Sequence, residues 1–393
     1  MGYQFYDDPD ANYRVQVALG GVPAGCGDVG EILVAVGQAA GGGDREWSAA
    51  FKSLARRVAD LATASHQADD PRGARDAALR AATYYAAALE SDQAFADDDT
   101  IRSTFEAHRK NWDMFAEMEG LERVDIPYEG STMPGYFSSI DGTPRPTVVF
   151  INGSDGALTW VWQELRAARE RGFNGLIFDG PGQQSMLFER GIPFRPDWEA
   201  VITPVVDFLL ERSDVDADAL VLWAGSQGGF WAPRALAFEK RFAAAFLDPG
   251  VVDVSTSWLD HFPPEMKQLL ADGDGDTFNA YMAEGLKSPE LSSVWNFRAR
   301  PFMQDTPYDL FRELRKYNVR DVAGQITTPV MIADPEGESF WPGQSAELAD
   351  LIGSAAVLAK FTADEGADMH CEPMARSLVQ QHMYSWLAGV LPN

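Results

Sequence analysis

The chain has few of the residues that staple, ligate or anchor a protein. Its 393 residues include two cysteines, Cys26 and Cys371, and five histidines. Two distant cysteines make neither a disulfide framework nor a CxxC-type ligand spacing, so no stapled secreted scaffold and no metal is expected. No run approaches the about 18 consecutive apolar residues of a membrane span. The opening residues, Met1 to Asp10, are acidic and lack the basic start of a signal peptide. Pro23-Ala-Gly-Cys26 has no basic start and no clean apolar run before it, so it is not read as a lipoprotein cleavage site. A reducing cytoplasm is the expectation. Basic residues are scarce: 32 Lys and Arg stand against 59 Asp and Glu, giving a formal net charge of −27. That surface repels phosphate backbones and anionic membranes, so neither is expected as a partner. It leaves the substrate open, because a local pocket can differ from the global field.

What is present is enough apolar material, 46% of residues, for a large core. The first stretch reads as helical. Glu31–Ala40 is a short apolar helix. Trp47, Phe51, Leu54, Val58 and Leu61 form one stripe at helical spacing. Asp69-Asp70-Pro71 starts a helix carrying Leu79, Ala82, Tyr85, Ala86 and Leu89, and another helix spans Thr100 to Met118. Near residue 120 the period changes to two: Val124, Ile126 and Tyr128 alternate, Glu129-Gly130 turns the chain, and Met133–Ser138 returns. Strands then alternate with helices. Thr147–Ile151, Gly175–Phe178, Ala219–Trp223, Ala243–Leu247, Val330–Ala333 and Val357–Phe361 are apolar strands. Helices are expected at Trp160–Glu170, at Trp198–Leu210 with Asp197 as N-cap, and from Gly228. This alternation predicts a mostly parallel sheet with helices on both faces. Val251–Val322 interrupts it with helical segments at Met266–Ala271, Phe278–Gly285 and Tyr308–Lys316, an insertion suited to a lid over a ligand site. The boundaries expected are 1–118 for the helical N-terminal domain, 119–250 and 326–393 for the two parts of the α/β core, and 251–325 for the lid.

Ala224-Gly-Ser226-Gln-Gly228-Gly229, after the buried strand Ala219–Trp223, fits a nucleophile elbow. Small residues let a strained strand-to-helix turn expose the Ser226 hydroxyl, and the helix N-terminus behind it favours developing negative charge. A serine needs a base. Of the histidines, His66 ends an N-terminal helix, His108 is mid-helix, His261 is in the lid and His382 is on the last helix. His370 alone lies in a loop between the last strand and the last helix. The orienting acid should follow Val330–Ala333, where Asp334, Glu336 and Glu338 are available. Spacing from Pro329 and Pro342 favours Glu338, with Asp334 and, after the preceding strand, Asp248 as alternatives. An oxyanion needs preorganised donors. The N–H of Gln227 is one candidate and the N–H of Ser154, in Asn152-Gly-Ser-Asp-Gly156, the other. Gly153 would permit the close approach. Gly25-Cys-Gly27-Asp-Val-Gly30 matches GxGxxG formally, but it has no βαβ unit around it and is not read as a dinucleotide site.

Further stretches carry a family likeness: Gly27-Asp-Val-Gly-Glu31, Gly43-Asp-Arg-Glu-Trp47, Ala81-Ala-Thr-Tyr-Tyr85, Pro127-Tyr-Glu-Gly130, Pro134-Gly-Tyr-Phe137, Phe178-Asp-Gly-Pro-Gly-Gln183, Arg195-Pro-Asp-Trp-Glu199, Asp248-Pro-Gly250 and Phe340-Trp-Pro-Gly-Gln344. With them the chain resembles, over nearly its whole length, α/β-hydrolases with an N-terminal helical domain. That group includes 2,6-dihydroxypseudooxynicotine hydrolase and fungal polyketide-shortening hydrolases. The resemblance implies the α/β-hydrolase fold, a homodimer, no cofactor, and hydrolysis of a bond next to a carbonyl, often a carbon–carbon bond. It also implies that Asp155, in the oxyanion loop, faces the substrate. The sequence departs from the family at Gln184 and Gln227, which replace a more usual glycine and leucine, and at Glu338, where aspartate is commoner. The expected substrate is a small carbonyl compound, aromatic or apolar, of β-diketone or aryl ketone type. A carboxylesterase or amidase, or an acyltransferase using the same acyl-enzyme, is the alternative. Trp258, Phe262, Met282, Trp295, Phe297 and Phe302 are the lid side chains available to roof the pocket.

Overall fold

The structure, a computed structural model, describes residues 4–39 and 41–391. Five helices lead: α1 (Pro9–Gly20), α2 (Val29–Gln38), α3 (Asp44–Gln67), α4 (Pro71–Phe95) and α5 (Asp98–Glu119). Acidic residues start four of them. Asp8, Asp28, Asp70 and Asp97 each accept from a first-turn N–H, so part of the chain's negative charge is used in capping. α1 has no counterpart in the sequence reading, and Ala40, the expected end of the apolar helix, lies outside the described residues. In α3 the buried stripe is Trp47, Phe51, Leu54 and Val58. It continues through Ala62, leaving Leu61 at 53% exposure rather than in the core. A strict step of three or four residues drifts around a 3.6-residue helix, and the smaller side chain faces inward here.

The sheet has eight strands in the order β1-β2-β4-β3-β5-β6-β7-β8. These are β1 (Glu122–Tyr128), β2 (Ser131–Ser138), β3 (Arg145–Ile151), β4 (Asn174–Phe178), β5 (Val215–Gly225), β6 (Ala244–Asp248), β7 (Val330–Pro335) and β8 (Ala356–Phe361). β2 is antiparallel to both its neighbours, and every pair from β4 to β8 is parallel. Successive side chains take opposite faces. Val148, Phe150, Val221, Trp223 and Phe246 join a core shared with the N-terminal helices and the last helix, Arg376–Val390. Val149, Ile151, Leu220, Leu222 and Leu247 join the core beneath the helices Glu199–Leu210, Gly228–Leu236 and Gln344–Ile352. Continuous apolar runs read as doubly covered strands for this reason.

Two expected details differ. The helix after β3 is Leu158–Arg169, starting before Trp160. The helix Glu199–Leu210 has Trp198, not Asp197, at its N-cap, with no side-chain cap, because the Asp197 carboxylate pairs with Arg195 at 2.8 Å. The inserted segment after β6 holds helices Thr256–Leu259, Pro264–Asp272, Gly275–Gly285, Pro289–Ala299 and Pro307–Leu314. Pro289–Ala299 was invisible in sequence: Leu291 and Val294 are both more than half exposed, so no apolar stripe marks it. It docks through Trp295, which packs against Trp258 and Phe311, and through polar contacts. Ser293 Oγ donates to Asp44 at 2.7 Å, and Asn296 Nδ2 donates to the carbonyl of Ala94 at 3.1 Å.

Candidate active site

β5 is flanked by β3 and β6 in mid-sheet and ends at Gly225, so Ser226 leaves the sheet at the carboxyl end of its strands. Ser226 has φ of 53°, a left-handed conformation unusual for a side chain that is not glycine. Its N–H is held by the carbonyl of Asp248 at 2.7 Å. The neighbouring backbone passes so close that a Cβ on Gly153 would lie 2.7 Å from Ser226 Cβ, and one on Gly229 would lie 1.9 Å from the carbonyl oxygen of Pro249. Glycine is required at both positions for space.

His370 stands in the loop between β8 and the last helix, with its Nε2 2.9 Å from Ser226 Oγ. Its Nδ1 is 2.7 Å from Glu338 Oε2. A carboxylate only accepts, so Nδ1 carries the proton and Nε2 is left to accept from the serine hydroxyl. The other Glu338 oxygen accepts from the N–H groups of Phe340 at 2.8 Å and Trp341 at 3.1 Å. Burial pushes the Glu338 carboxyl up, but the His370 imidazole and these two N–H groups outweigh it and hold the group below the ordinary glutamate value. Two main-chain bonds clip the acid and histidine loops together: Glu336 N–H to the carbonyl of Phe361 at 2.9 Å, and Gly337 N–H to that of Asp368 at 2.7 Å. The alternatives for the acid go elsewhere. Asp334 pairs with Lys360, and Asp248 pairs with Arg376 at 2.6 Å.

The N–H groups of Gln227 and Ser154 have no acceptor among the described residues. The loop carrying Ser154 is held by amides. Asn152 Nδ2 donates to the carbonyls of Gly156 and Ala157, and Gln183 Nε2 donates to those of Asn152 at 2.9 Å and Gly153 at 2.8 Å. Gln184 has φ of 33° and lies 3.4 Å from the carbonyl of Asp155, so the residue that replaces glycine keeps a left-handed conformation. Asp155 itself is exposed, and its carboxylate accepts from Ser154 Oγ at 3.3 Å.

Several residues around the site were not singled out as site residues from the sequence. Tyr13 on α1 donates its hydroxyl to the carbonyl of His370 at 2.8 Å. Phe340 packs on the His370 ring with centroids 4.6 Å apart, and Trp341 lies at 5.8 Å. Arg376 is buried on the last helix. It donates to Glu164 at 2.9 Å, Asp248 at 2.6 Å and the carbonyl of Cys371 at 2.8 Å, which ties β6, the strand beside β5, to the histidine loop. Glu372 joins this cluster at 3.4 Å, and burial, then the charge of Asp248, pushes its carboxyl well above the usual range. Burial, then the charge of Asp155, pushes the Glu90 carboxyl of α4 up to about 8. Apart from Phe340 and Trp341, which open the Phe340–Gln344 stretch, none of these belongs to a short motif; they converge from four separate regions of the chain. The lid aromatics named from sequence pack largely on one another: Trp258 contacts Trp295, Phe302 and Phe311, while Phe262 contacts Phe278 and Phe311. The GxGxxG stretch closes on itself, since Asp28 caps the N–H groups of Gly30 and Glu31 where a phosphate would have to sit. Among the described residues no cluster suited to a metal occurs, and no helix is long and apolar enough to cross a membrane.

The comparisons with known proteins agree with this architecture. A hydrolase from a Fusarium species, LUC6, is 26% identical and aligns over 98% of this chain and 97% of its own. A hydrolase from Pyricularia oryzae, ORFZ, is 30% identical over 86% of this chain and 84% of its own. Among solved structures, 2,6-dihydroxy-pseudo-oxynicotine hydrolase superposes with a TM-score of 0.73 at 21% identity, covering 95% of each chain, a likeness of fold. The model of the alpha/beta hydrolase family matches residues 148–392, more than half of the sequence, and the chain belongs to that family.

Proposed function

We propose that the protein is a serine hydrolase that cleaves a carbonyl compound through a covalent acyl-enzyme, with a carbon–carbon bond next to a carbonyl as the bond broken. The observation that carries the reading is the continuous hydrogen-bond chain Ser226–His370–Glu338 at 2.9 and 2.7 Å. Ser226 Oγ attacks the carbonyl carbon while His370 Nε2 takes its proton, and Glu338 holds the imidazole in the required tautomer. The unpaired N–H groups of Gln227 and Ser154 receive the oxyanion. His370 then protonates the leaving group, and water enters to release the acid. The aromatic neighbours Phe340 and Trp341 favour an aromatic or extended apolar substrate.

Carbon–carbon cleavage is preferred on the family likeness of the motifs quoted from the sequence; the fold shared with 2,6-dihydroxy-pseudo-oxynicotine hydrolase over 95% of each chain is compatible with it. The test is a substrate panel in which 1,3-diketones and aryl ketones are compared with esters of the same acyl groups, alongside fluorophosphonate labelling. Labelling at Ser226 with turnover of diketones supports the whole reading. Labelling with turnover of esters alone keeps the nucleophile and discards the carbon–carbon step. No labelling discards both. Assembly as a homodimer in the cytoplasm stays part of the proposal, to be measured by light scattering and by fractionation.

A further inference from the structure

Arg298 sits on the inserted helix Pro289–Ala299 and is half-buried. The other half-buried arginines all hold a carboxylate, a hydroxyl or a backbone carbonyl. Arg298 has no hydrogen-bond acceptor and no ion pair among the described residues. Its guanidinium instead lies over the face of Phe340, 5.4 Å from the ring centroid. The same ring packs against His370 at 4.6 Å. One aromatic side chain therefore separates this cation from the proposed base. The charge of Asp155, from the oxyanion loop, also reaches Arg298, as does that of Asp10 from α1, yet neither carboxylate closes an ion pair with it. The ring contact places the guanidinium on the Phe340 side of His370, within reach of the charge of the oxyanion loop. No Arg298 nitrogen is fully shut off from solvent, so in a chain with 59 acidic residues this guanidinium is left free to exchange water for an acceptor that enters the site.

We propose that Arg298 is the specificity-determining residue for the leaving half of the substrate, and that it binds the carbonyl oxygen β to the scissile carbonyl. The inference rests on the carbon–carbon reading of the site and deepens it. In a 1,3-diketone, Ser226 Oγ adds to the first carbonyl carbon and its proton passes to His370. The adduct collapses, the bond between that carbon and the central carbon breaks, and the electron pair moves into an enolate. The enolate's charge rests on the second carbonyl oxygen, and there the guanidinium donates. The proton on His370 goes to the central carbon, releasing a ketone. Water then hydrolyses the acyl-enzyme to a carboxylic acid. An alkoxide or phenoxide leaving group carries its charge on the atom that departs and needs no such donor. Arg298 therefore separates the two reactions, and the substrate class it selects is a β-dicarbonyl compound or its enol.

Arg298→Met and Arg298→Lys should be compared with the wild type on a 1-aryl-1,3-diketone and on the p-nitrophenyl ester of the same acyl group. The expected result is a fall in kcat on the diketone of about 100-fold for Arg298→Met, partly restored by Arg298→Lys, with kcat on the ester within about threefold. An equal fall on both substrates would make the residue structural, and no fall on either would remove it from the site. Both overturn the proposal. A binding experiment separates this failure from that of the underlying reading. In Ser226→Ala, which holds the diketone without cleaving it, the bound compound should display the enolate absorption band at neutral pH, and Ser226→Ala/Arg298→Met should not. If the wild type cleaves diketones but the band survives the loss of Arg298, the carbon–carbon reading stands and the assignment of Arg298 fails. If the wild type cleaves esters only, the reading itself fails and the assignment with it.

Discussion

Two walls meet above Ser226, and they differ in how completely their polar groups are paired. On the sheet side nearly every group is committed. Both Glu338 oxygens, both His370 nitrogens, the Ser226 N–H and the amides of Asn152 and Gln183 have partners. On the helical side, built from α1, α4 and the inserted segment, Arg298 has none and the Glu90 carboxyl is held near neutrality. A largely paired wall that leaves the N–H groups of Gln227 and Ser154 open is held in place around them, and that is what preorganised catalysis needs. On the proposed function, the first wall carries the chemistry, and Arg298 on the second is open to a ligand.

The comparison breaks most directly at the nucleophile. Ser226→Ala should keep the fold and reduce turnover by about 10³-fold or more. Circular dichroism would check the fold, and single-turnover kinetics the loss. Turnover like that of the wild type would mean that the paired wall is scaffolding and that the chemistry lies elsewhere.

The two carboxylates of the loop after β7 sharpen it next. Glu338→Gln should lower kcat by about 10²–10⁴-fold, because an amide can stabilise neither the tautomer nor the imidazolium. Asp334→Asn removes only a pairing with the largely exposed Lys360 and should cost less than about threefold. The reverse ranking would reassign the acid. A pH series adds a second reading. The Glu338 carboxyl is depressed in the folded state, so it stabilises the fold above the ordinary glutamate value, and that contribution is lost as the pH falls through its folded pKa. The gap in Tm between wild type and Glu338→Gln should be widest near neutrality and narrow in acid. A constant gap would assign the loss to packing.

The fold and the paired wall were readable because they obey local rules. Strands covered on both faces are continuous apolar runs, and an elbow needs small residues at fixed offsets, so Ser226 and its strand stood out. His370 and Glu338 followed from their order after particular strands. The unpaired wall obeys no such rule. Tyr13 lies on a helix whose buried apolar stripe is mostly alanine, Arg298 lies on one that docks through a single tryptophan and polar contacts, and Glu90 lies inside an alanine-rich run. Each becomes meaningful only when distant segments are brought together. The same holds for Arg376, whose partners Glu164, Asp248 and Glu372 come from three elements.

Arg376 therefore offers a break that sequence alone would not suggest. Arg376→Met strands Asp248 and Glu164 without a counter-charge in the core. It should destabilise the protein by about 3–5 kcal/mol, measured by urea denaturation. A variant as stable as the wild type would mean that the cluster is already neutral, with its acids protonated.

The smallest expected effect lies where the two walls touch. Tyr13 reaches from α1 to the carbonyl of His370 at 2.8 Å, and its hydroxyl is the direct hydrogen bond from the helical wall to the base's own residue. Tyr13→Phe keeps the ring and deletes that one bond. The carbonyl loses its side-chain donor, at a cost of about 0.5–1.5 kcal/mol. If the bond fixes the histidine loop in the transition state, the cost should emerge as a fall in kcat of no more than about tenfold, with KM nearly unchanged. If the hydroxyl contacts substrate instead, KM should rise while kcat holds. If neither constant moves but Tm drops, the helical wall contributes stability alone, and the division between a wall for chemistry and a wall for recognition would need no link between them.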